Sequence, residues 1–309
     1  MKVLVLHDEV PEGAPPDQQD VLIQAELVRE ILVDDGHDVA VQPFGMSIEP
    51  LRHHAPDLVF NLAECVGGDG RLAHLVPAVL EALGVPFTGS GAAGIAVTTD
   101  KALTKAVLRA HGIGVAEDWP LGGPRWIVKS RFEEASIGLD DDNIVTADRI
   151  EAAIARLAPR LGGSYVAETY IEGREINVSV LDGPDGPRAL PIAEILFDLP
   201  PGREHVISYA AKWDVGSVEY VGTPRSFDVE GIDAETVARQ SLLAFEALGL
   251  RGYARIDWRV AEDGTPYVLE VNANPCISPD AGFMEACAQA GITQPEAIRA
   301  ICARALLGP

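Results

Sequence analysis

The stretch that most constrains the fold runs from Tyr253 to Asn272. YARIDWRV alternates, so Arg255, Asp257 and Arg259 share one face of a strand while Ile256, Trp258 and Val260 take the other. VLEVN alternates as well, with Glu270 and Asn272 on one face and Leu269 and Val271 on the other. Between them lies Asp263-Gly264, a favoured two-residue hairpin turn, and a register set by that turn opposes Asp257 to Glu270 and Arg255 to Asn272. Opposed residues have Cβ atoms about 5 Å apart, and like charges so placed are destabilising. One resolution is magnesium, which takes hard oxygen ligands and could add the Asn272 amide; two ions could clamp a transferring phosphoryl group. The other is a solvated hairpin face on which Arg255 and Arg259 pair with the acids.

The 309-residue chain is long enough for two or three subdomains, and 47% hydrophobic with 23% charged residues is ordinary for a soluble protein. A net charge of -23 argues against nucleic acid and anionic membranes as partners, since their phosphates would be repelled, and solubility accounts for it. MKVLVLHDEV is too brief for a signal peptide, and no apolar run reaches membrane-spanning length. Cys65, Cys276, Cys287 and Cys302 form no CxxC pair, which fits reduced thiols and a cytoplasmic location. Lysine occurs only at positions 2, 101, 105, 129 and 212, and arginine supplies the remaining positive charge. A compact ammonium suits a phosphate oxygen in a way a guanidinium does not, so those positions matter.

Along the chain, KVLVLH, HDVAVQPF, DLVFNLA and VPFTGS read as strands, and DVLIQAELVREILVDDG and HLVPAVLEALG as helices, a parallel βαβ pattern. A second unit begins near Thr98 with the helix DKALTKAVLRAHG, followed by the strand RWIVKS, a glycine-interrupted loop, the helix RIEAAIARLAPRLGG and the strand SYVAETYI. The third is strand-rich, with REINVSVLDG, RALPIAEIL, YARIDWRV and YVLEVN, and the helix ETVARQSLLAFEALG between. Gly89-x-Gly91-x-x-Gly94 matches a dinucleotide fingerprint but lacks the acidic residue some 20 positions on; it reads better as a glycine-rich crossover between subdomains.

Together TGSGAAGIAVTTDKALTK, WIVKS, ETYIEGREI, AAKW, RGYARIDWR and LEVNANP resemble the ATP-grasp superfamily, closest to D-alanine–D-alanine ligases. The resemblance implies an α/β chain (α+β in the grasp) with the ATP-grasp fold: an N-terminal parallel βαβ domain (1–97), a central ATP-binding subdomain (98–167) and a strand-rich C-terminal subdomain with the metal site (168–309). It implies that Lys101, Lys129 and Lys212 contact ATP phosphates, and that Ser136 and Gly138 lie in the loop that closes over them. Glu168 and Ile171 fall on the adenine side, and Glu175 on the ribose. Asp257, Glu270 and Asn272 match the magnesium ligands, and Arg255 the arginine over the reacting acyl group. The implied catalytic set is Arg255, Lys212 and Ser136; Lys105 reads as an exposed helix residue. The implied cofactors are ATP and two magnesium ions, with manganese an admissible substitute.

The implied chemistry has two steps. A carboxylate attacks the γ-phosphate, and an amine then displaces phosphate from the acylphosphate. The expected partners are small-molecule carboxylates and amines, and a homodimer is left open. The departures lie where the family binds substrate. The His-Glu-Val-Ser segment is replaced by HDEVPEGAPPDQQD, with Glu9 or Glu12 as candidate acids. The Gly-Ser-Ser loop reads Glu134-Ala135-Ser136, the tyrosine after AAK is Trp213, and CISPDAG stands where a Ser-His-Ser segment holds the second carboxylate. Glu64, Arg71 and Asp280 are candidate substrate contacts or ordinary polar surface, and Cys276, with no His beside it in sequence, reads as a packed thiol. These departures argue against D-alanyl-D-alanine as product. Other ATP-grasp chemistry, such as ring closure, and a non-catalytic nucleotide-binding protein are the alternatives.

Overall fold

The structure, a computed structural model, describes residues 1–45, 47–132, 136–157, 159 and 164–308. The chain opens with β1 (Lys2–His7), α1 (Pro16–Asp34), β2 (Asp38–Pro43), α2 (Glu49–His54), β3 (Leu58–Asn61), α3 (Leu75–Leu83) and α4 (Ala92–Thr99). Next come α5 (Lys101–Ala110), β4 (Trp126–Ser130), β5 (Ile144–Val145), α6 (Ile150–Leu157) and β6 (Tyr165–Thr169). The remainder comprises β7 (Gly173–Gly183), β8 (Gly186–Ala189), β9 (Ala193–Ile195), α7 (Tyr209–Trp213), α8 (Val218–Val221), β10 (Arg225–Ser226), α9 (Ala234–Ala247), β11 (Tyr253–Ala261), β12 (Pro266–Asn272), α10 (Gly282–Gln289) and α11 (Gln294–Leu306).

Strand β1 is an unbroken apolar run because both its faces are covered. It pairs in parallel with β2 on one side and β3 on the other. Val3 and Val5 face a core shared with α1, α10 and α11, whereas Leu4 and Leu6 face one shared with α2 and α3. The C-terminal helices therefore pack beneath the N-terminal sheet. A second sheet, ordered β10-β9-β7-β11-β12 with β8 also on β7, is antiparallel and centred on β7, with β11 beside it. Its Ile256, Trp258 and Val260 enter a core with α9, where the Trp258 indole donates to Ser241 Oγ at 3.0 Å. The third sheet, β5-β4-β6, is backed by α6.

The expected parallel N-terminal sheet is present, and the strand-rich remainder is antiparallel. VPFTGS forms only a bridge between Val59 and Phe87, because Gly89, at φ +82°, turns the chain away. The crossover holds a helix, α4, which the sequence reading missed. Its first amide, Ala92 N, donates to Glu81 Oε1 at 2.9 Å, so a carboxylate already occupies the place a dinucleotide phosphate would take, in keeping with the crossover reading. RALPIAEIL is split into β8 and β9 around Pro191, which has no N–H to donate. The last part of the helix expected over 149–163 lies outside the described residues, and α6 accounts for Ile150–Leu157.

In the β11–β12 hairpin, Arg255 opposes Asn272 and Asp257 opposes Glu270, as the turn argument predicts. The route differs. Ala261 N donates to Thr265 O, which makes a three-residue loop of Glu262, Asp263 and Gly264, with Gly264 at φ +86°. That loop pairs Trp258 with Val268, and a bulge at Leu269 then restores the expected register. Two one-residue offsets cancel.

Candidate active site

A cleft of about 990 Å³ lies among the three sheets. Its floor is the exposed face of β11 and β12, where alternation brings Arg255, Asp257, Arg259, Glu270 and Asn272 to one side. The bulge also turns Leu269 toward the cleft, away from the core-facing position expected for it. Arg255 grips Asp257 with two parallel contacts, Nε to Oδ1 at 2.7 Å and Nη2 to Oδ2 at 2.8 Å. Asn177, opposite Asp257 on β7, donates to Oδ1 at 2.7 Å, and Asn272 donates to Oδ2 at 3.0 Å. Lys101, at the first turn of α5, pairs with Glu270 at 2.9 Å. Arg259 pairs instead with Glu175, at 2.9 Å. The opposed acids are thus neutralised by protein cations, one by Arg255 and the other by Lys101.

Electrostatics follow from this packing. Burial acts to raise the Glu270 pKa, but Lys101, Lys212 and Lys129 together hold it down to about 2. Burial pushes the Lys212 ammonium below its usual value, aided by Arg255 and opposed by Glu270 and Asp257. Arg255 is held above its ordinary value because Asp257 outweighs its burial. Burial raises Glu175, with Asp257 adding to the rise and Arg259 opposing it.

The wall facing this floor comes from β4 and β6. Lys129 and Ile127 alternate toward the cleft from β4, while Val128 enters the core behind. Lys129 Nζ lies 2.6 Å from Glu168 Oε1 and 3.4 Å from the Leu269 carbonyl freed at the bulge. Lys105, read from sequence as exposed, is only 6% exposed and bridges Glu168 and Asp118. Ile171, Ile195, Val206 and Leu139 add an apolar lining on this side, and Ser136 lies there at φ +59°, an uncommon conformation for a side-chain-bearing residue. Glu134 and Ala135 lie outside the described residues.

The opposite end is built from β1, β3, α1 and the segment after β12. Sequence reasoning proposed Glu9 or Glu12 as the acid here; Glu9 lines the rim and Glu12 is exposed on the loop. The carboxylate most tightly built into this end was missed: Asp20, on the same α1 face as Asp17 and Gln24. Asp20 accepts from Ser278 Oγ at 2.7 Å, Cys276 Sγ at 2.9 Å and Gln24 Nε2 at 2.9 Å. Burial and Asp20 hold the Cys276 thiol far above its usual pKa, so it is no thiolate nucleophile. Asp8, at the end of β1, accepts from the amides of Glu64 and Cys65, and burial raises it to about 6. Glu64 and Asp280 line the cleft; Arg71 lies off it, paired with Asp69. Helical spacing from Asp17 could have exposed Asp20, but its partners are some 256 residues distant in sequence.

Asp257, Glu270 and Asn272 offer two carboxylates and one amide, a hard-oxygen set. Magnesium typically takes one or two protein carboxylates together with substrate phosphates and water, so these residues fit it. Among the described residues no group of three or more His, Cys, Asp or Glu converges as an all-protein metal cage. No described helix is long and apolar enough to cross a membrane.

A family model described as D-ala D-ala ligase C-terminus matches residues 92–303. A D-alanine--D-alanine ligase from Gluconobacter oxydans is 33% identical, covering 96% of each chain. One from Anaeromyxobacter sp. Fw109-5 is 33% identical over 88% of this chain and 86% of that protein. The crystal structure of D-alanine--D-alanine ligase from Bacillus anthracis complexed with ATP superposes with a TM-score of 0.76 at 22% identity, covering 99% of this chain and 98% of that one.

Proposed function

The chain belongs to the D-alanine–D-alanine ligase family of ATP-grasp proteins and is an ATP-dependent, ADP-forming ligase of the C–N bond; from that footing we propose that it joins a substrate pair other than two D-alanines. The observation that carries the ligase reading is the convergence of Lys101, Lys129, Lys212 and Arg255 on the Asp257–Glu270 pair within one cleft. In this reading the three lysines hold phosphate oxygens and Asp257, Glu270 and Asn272 hold magnesium. The metal, when bound, neutralises phosphoryl charge. Ile171 and Glu168 lie on the adenine side, Glu175 beside the ribose, and Ser136 at the loop over the phosphates.

A substrate carboxylate attacks the γ-phosphorus, giving an acylphosphate and ADP. An amine then attacks the carbonyl, forming the C–N bond and an oxyanion that Arg255 stabilises; the oxyanion collapses, the C–O bond to phosphate breaks, and the amine's proton leaves with phosphate or to solvent. Closure of the cleft keeps water from the acylphosphate.

The substrate end supports the finer claim. Asp20 can hold an ammonium, so an amino acid is an admissible first substrate. The second carboxylate of a dipeptide product is less well served. Ser278 is buried and donates its hydroxyl to Asp20, the half-buried Cys276 thiol donates there too, and the N-cap position of α10 is Ala281, without a hydroxyl. Asp280 adds negative charge nearby. Trp213, standing for the family's tyrosine, has a buried N–H without a partner among the described residues and offers no acceptor. Each unmet polar group costs about 1–3 kcal/mol, and about 1.4 kcal/mol is tenfold in rate. Phosphate release with D-alanine against a panel of amino acids and amines, with product masses read directly, tests this. Little or no D-alanyl-D-alanine is expected; that product preferred over the whole panel at a rate typical of good enzymes contradicts the claim.

A further inference from the structure

Glu168 is a buried carboxylate held from two sides. Its Oε1 takes Lys129 from β4 at 2.6 Å and its Oε2 takes Lys105 from α5 at 2.8 Å. Lys105 is anchored in turn by Asp118 at 2.5 Å, which Arg109 also approaches at 3.4 Å. Lys129 and Glu168 line the cleft; Lys105 does not appear among its lining residues. The two lysines therefore differ in what they can reach. Lys129 can turn to a phosphate, while Lys105, one turn after Lys101 on α5 and tied to Asp118, stays with Glu168.

When Lys129 leaves for a phosphate, Glu168 loses one of its two cations. A buried carboxylate with none must either be destabilised or take up a proton. We propose that Lys105 is a positioning residue for nucleotide binding: it keeps Glu168 ionised and compensated while Lys129 moves to the nucleotide, so that binding requires no proton. This rests on the reading of Lys129 as a phosphate-contacting residue. Among the described residues the charged groups facing Glu168 are Lys129 and Lys105, with Asp118 behind Lys105, and the two lysines hold Glu168 below its usual pKa against its burial.

The linkage has a definite sign. In Lys105→Met, free Glu168 still has Lys129 and stays ionised. In the complex it has lost both cations and its pKa rises, so binding draws in a proton and weakens as pH increases.

Calorimetric titration of the full chain with Mg-ADP, in two buffers of different ionisation enthalpy at about pH 6 and about pH 8, reads this directly. ADP's own titration is common to all variants and cancels in the difference from wild type. Lys105→Met is expected to take up as much as about one proton more than wild type at the lower pH, with less at the higher. Between the free and bound pKa values of Glu168 its affinity should fall by up to about tenfold per pH unit. Lys105→Arg should restore proton-neutral binding. If Lys105→Met does not fold, Lys105→Gln, which keeps a neutral donor, carries the test with a smaller uptake of the same sign. Wild-type proton stoichiometry at both pH values in the folded variant overturns the proposal. Lys129→Ala separates the two readings. If it binds Mg-ADP as tightly as wild type, the assignment of Lys129 to phosphate fails; if it binds weakly while Lys105→Met is proton-neutral, only the role of Lys105 fails.

Discussion

Asp257 shows how much a single side chain carries in this site. Its two oxygens accept from Arg255, Asn177 and Asn272, and it stands directly across from Glu270. Replacing it with Asn removes a charge from the proposed magnesium set and leaves the Arg255 guanidinium without its bidentate partner. Asp257→Asn should lower ADP release by orders of magnitude. It should also cost fold stability, since breaking a largely buried ion pair typically costs about 3–5 kcal/mol. Parallel ADP-release and thermal-unfolding measurements check both; wild-type turnover in the variant would remove Asp257 from the metal set. The alternating sequence leaves two partners open for the opposed acids, an outside cation or Arg255 and Arg259; the fold pairs Asp257 with Arg255 and Glu270 with Lys101, and sends Arg259 to Glu175. The position of Lys101 was legible through the rarity of lysine, but its partner was not, because the i-to-j distance of that contact is set by packing of α5 against β12.

At the scale of elements, α5 is the part whose geometry the site depends on most, since it carries both Lys101 and Lys105. Its N-cap is Asp100, which accepts from Ala102 N at 3.0 Å and Leu103 N at 3.2 Å and takes the Arg131 guanidinium in two further contacts. Asp100→Ala should cost at least the roughly 1–2 kcal/mol of a lost cap. Burial alone would raise the Asp100 pKa, but Arg131 and the two amides outweigh it and the folded value lies below the ordinary one. A depressed folded pKa means the stabilisation is complete above the unfolded value of about 3.9 and is lost as pH falls through the folded one. Urea unfolding at neutral and acid pH should therefore show a gap between wild type and Asp100→Ala that closes in acid; a gap independent of pH would mean the carboxylate charge is not what caps the helix. Most elements were legible because their periodicity is strong: β1, α5 and β11 lie where pattern and end signals place them, while α1 begins four residues before its apolar pattern, with Pro16 at its first turn. The hairpin pairing was legible by a cancellation, since the loop is one residue longer than its Asp-Gly signal implies and the Leu269 bulge makes up the difference. Helix α4 and the Asp20 cluster were not legible. The first is a short helix without a strong apolar period whose Gly94 lies close against Leu250 and the Gly249 carbonyl, and the second joins α1 to the far end of the chain.

At the scale of the molecule, three sheets meet around one cleft, and each contributes a different chemistry. The carboxyl ends of the parallel strands β1 and β3 open into it, bringing Asp8 and Glu64, as open parallel sheets commonly place their ligand sites. The antiparallel floor brings the opposed acids with Arg255, and the β4–β6 wall brings Lys129 and Glu168. In the proposed reading one end holds phosphate and the other an ammonium, with the reacting carboxylate between. That arrangement makes acylphosphate formation the central claim, and oxygen transfer tests it most directly. The enzyme is supplied with Mg-ATP and a substrate whose carboxylate is labelled with heavy oxygen, and the released phosphate is weighed by mass spectrometry. Activation through an acylphosphate predicts one labelled oxygen in the phosphate for each ADP and each amide bond formed. Phosphate released without label while the product forms would contradict it.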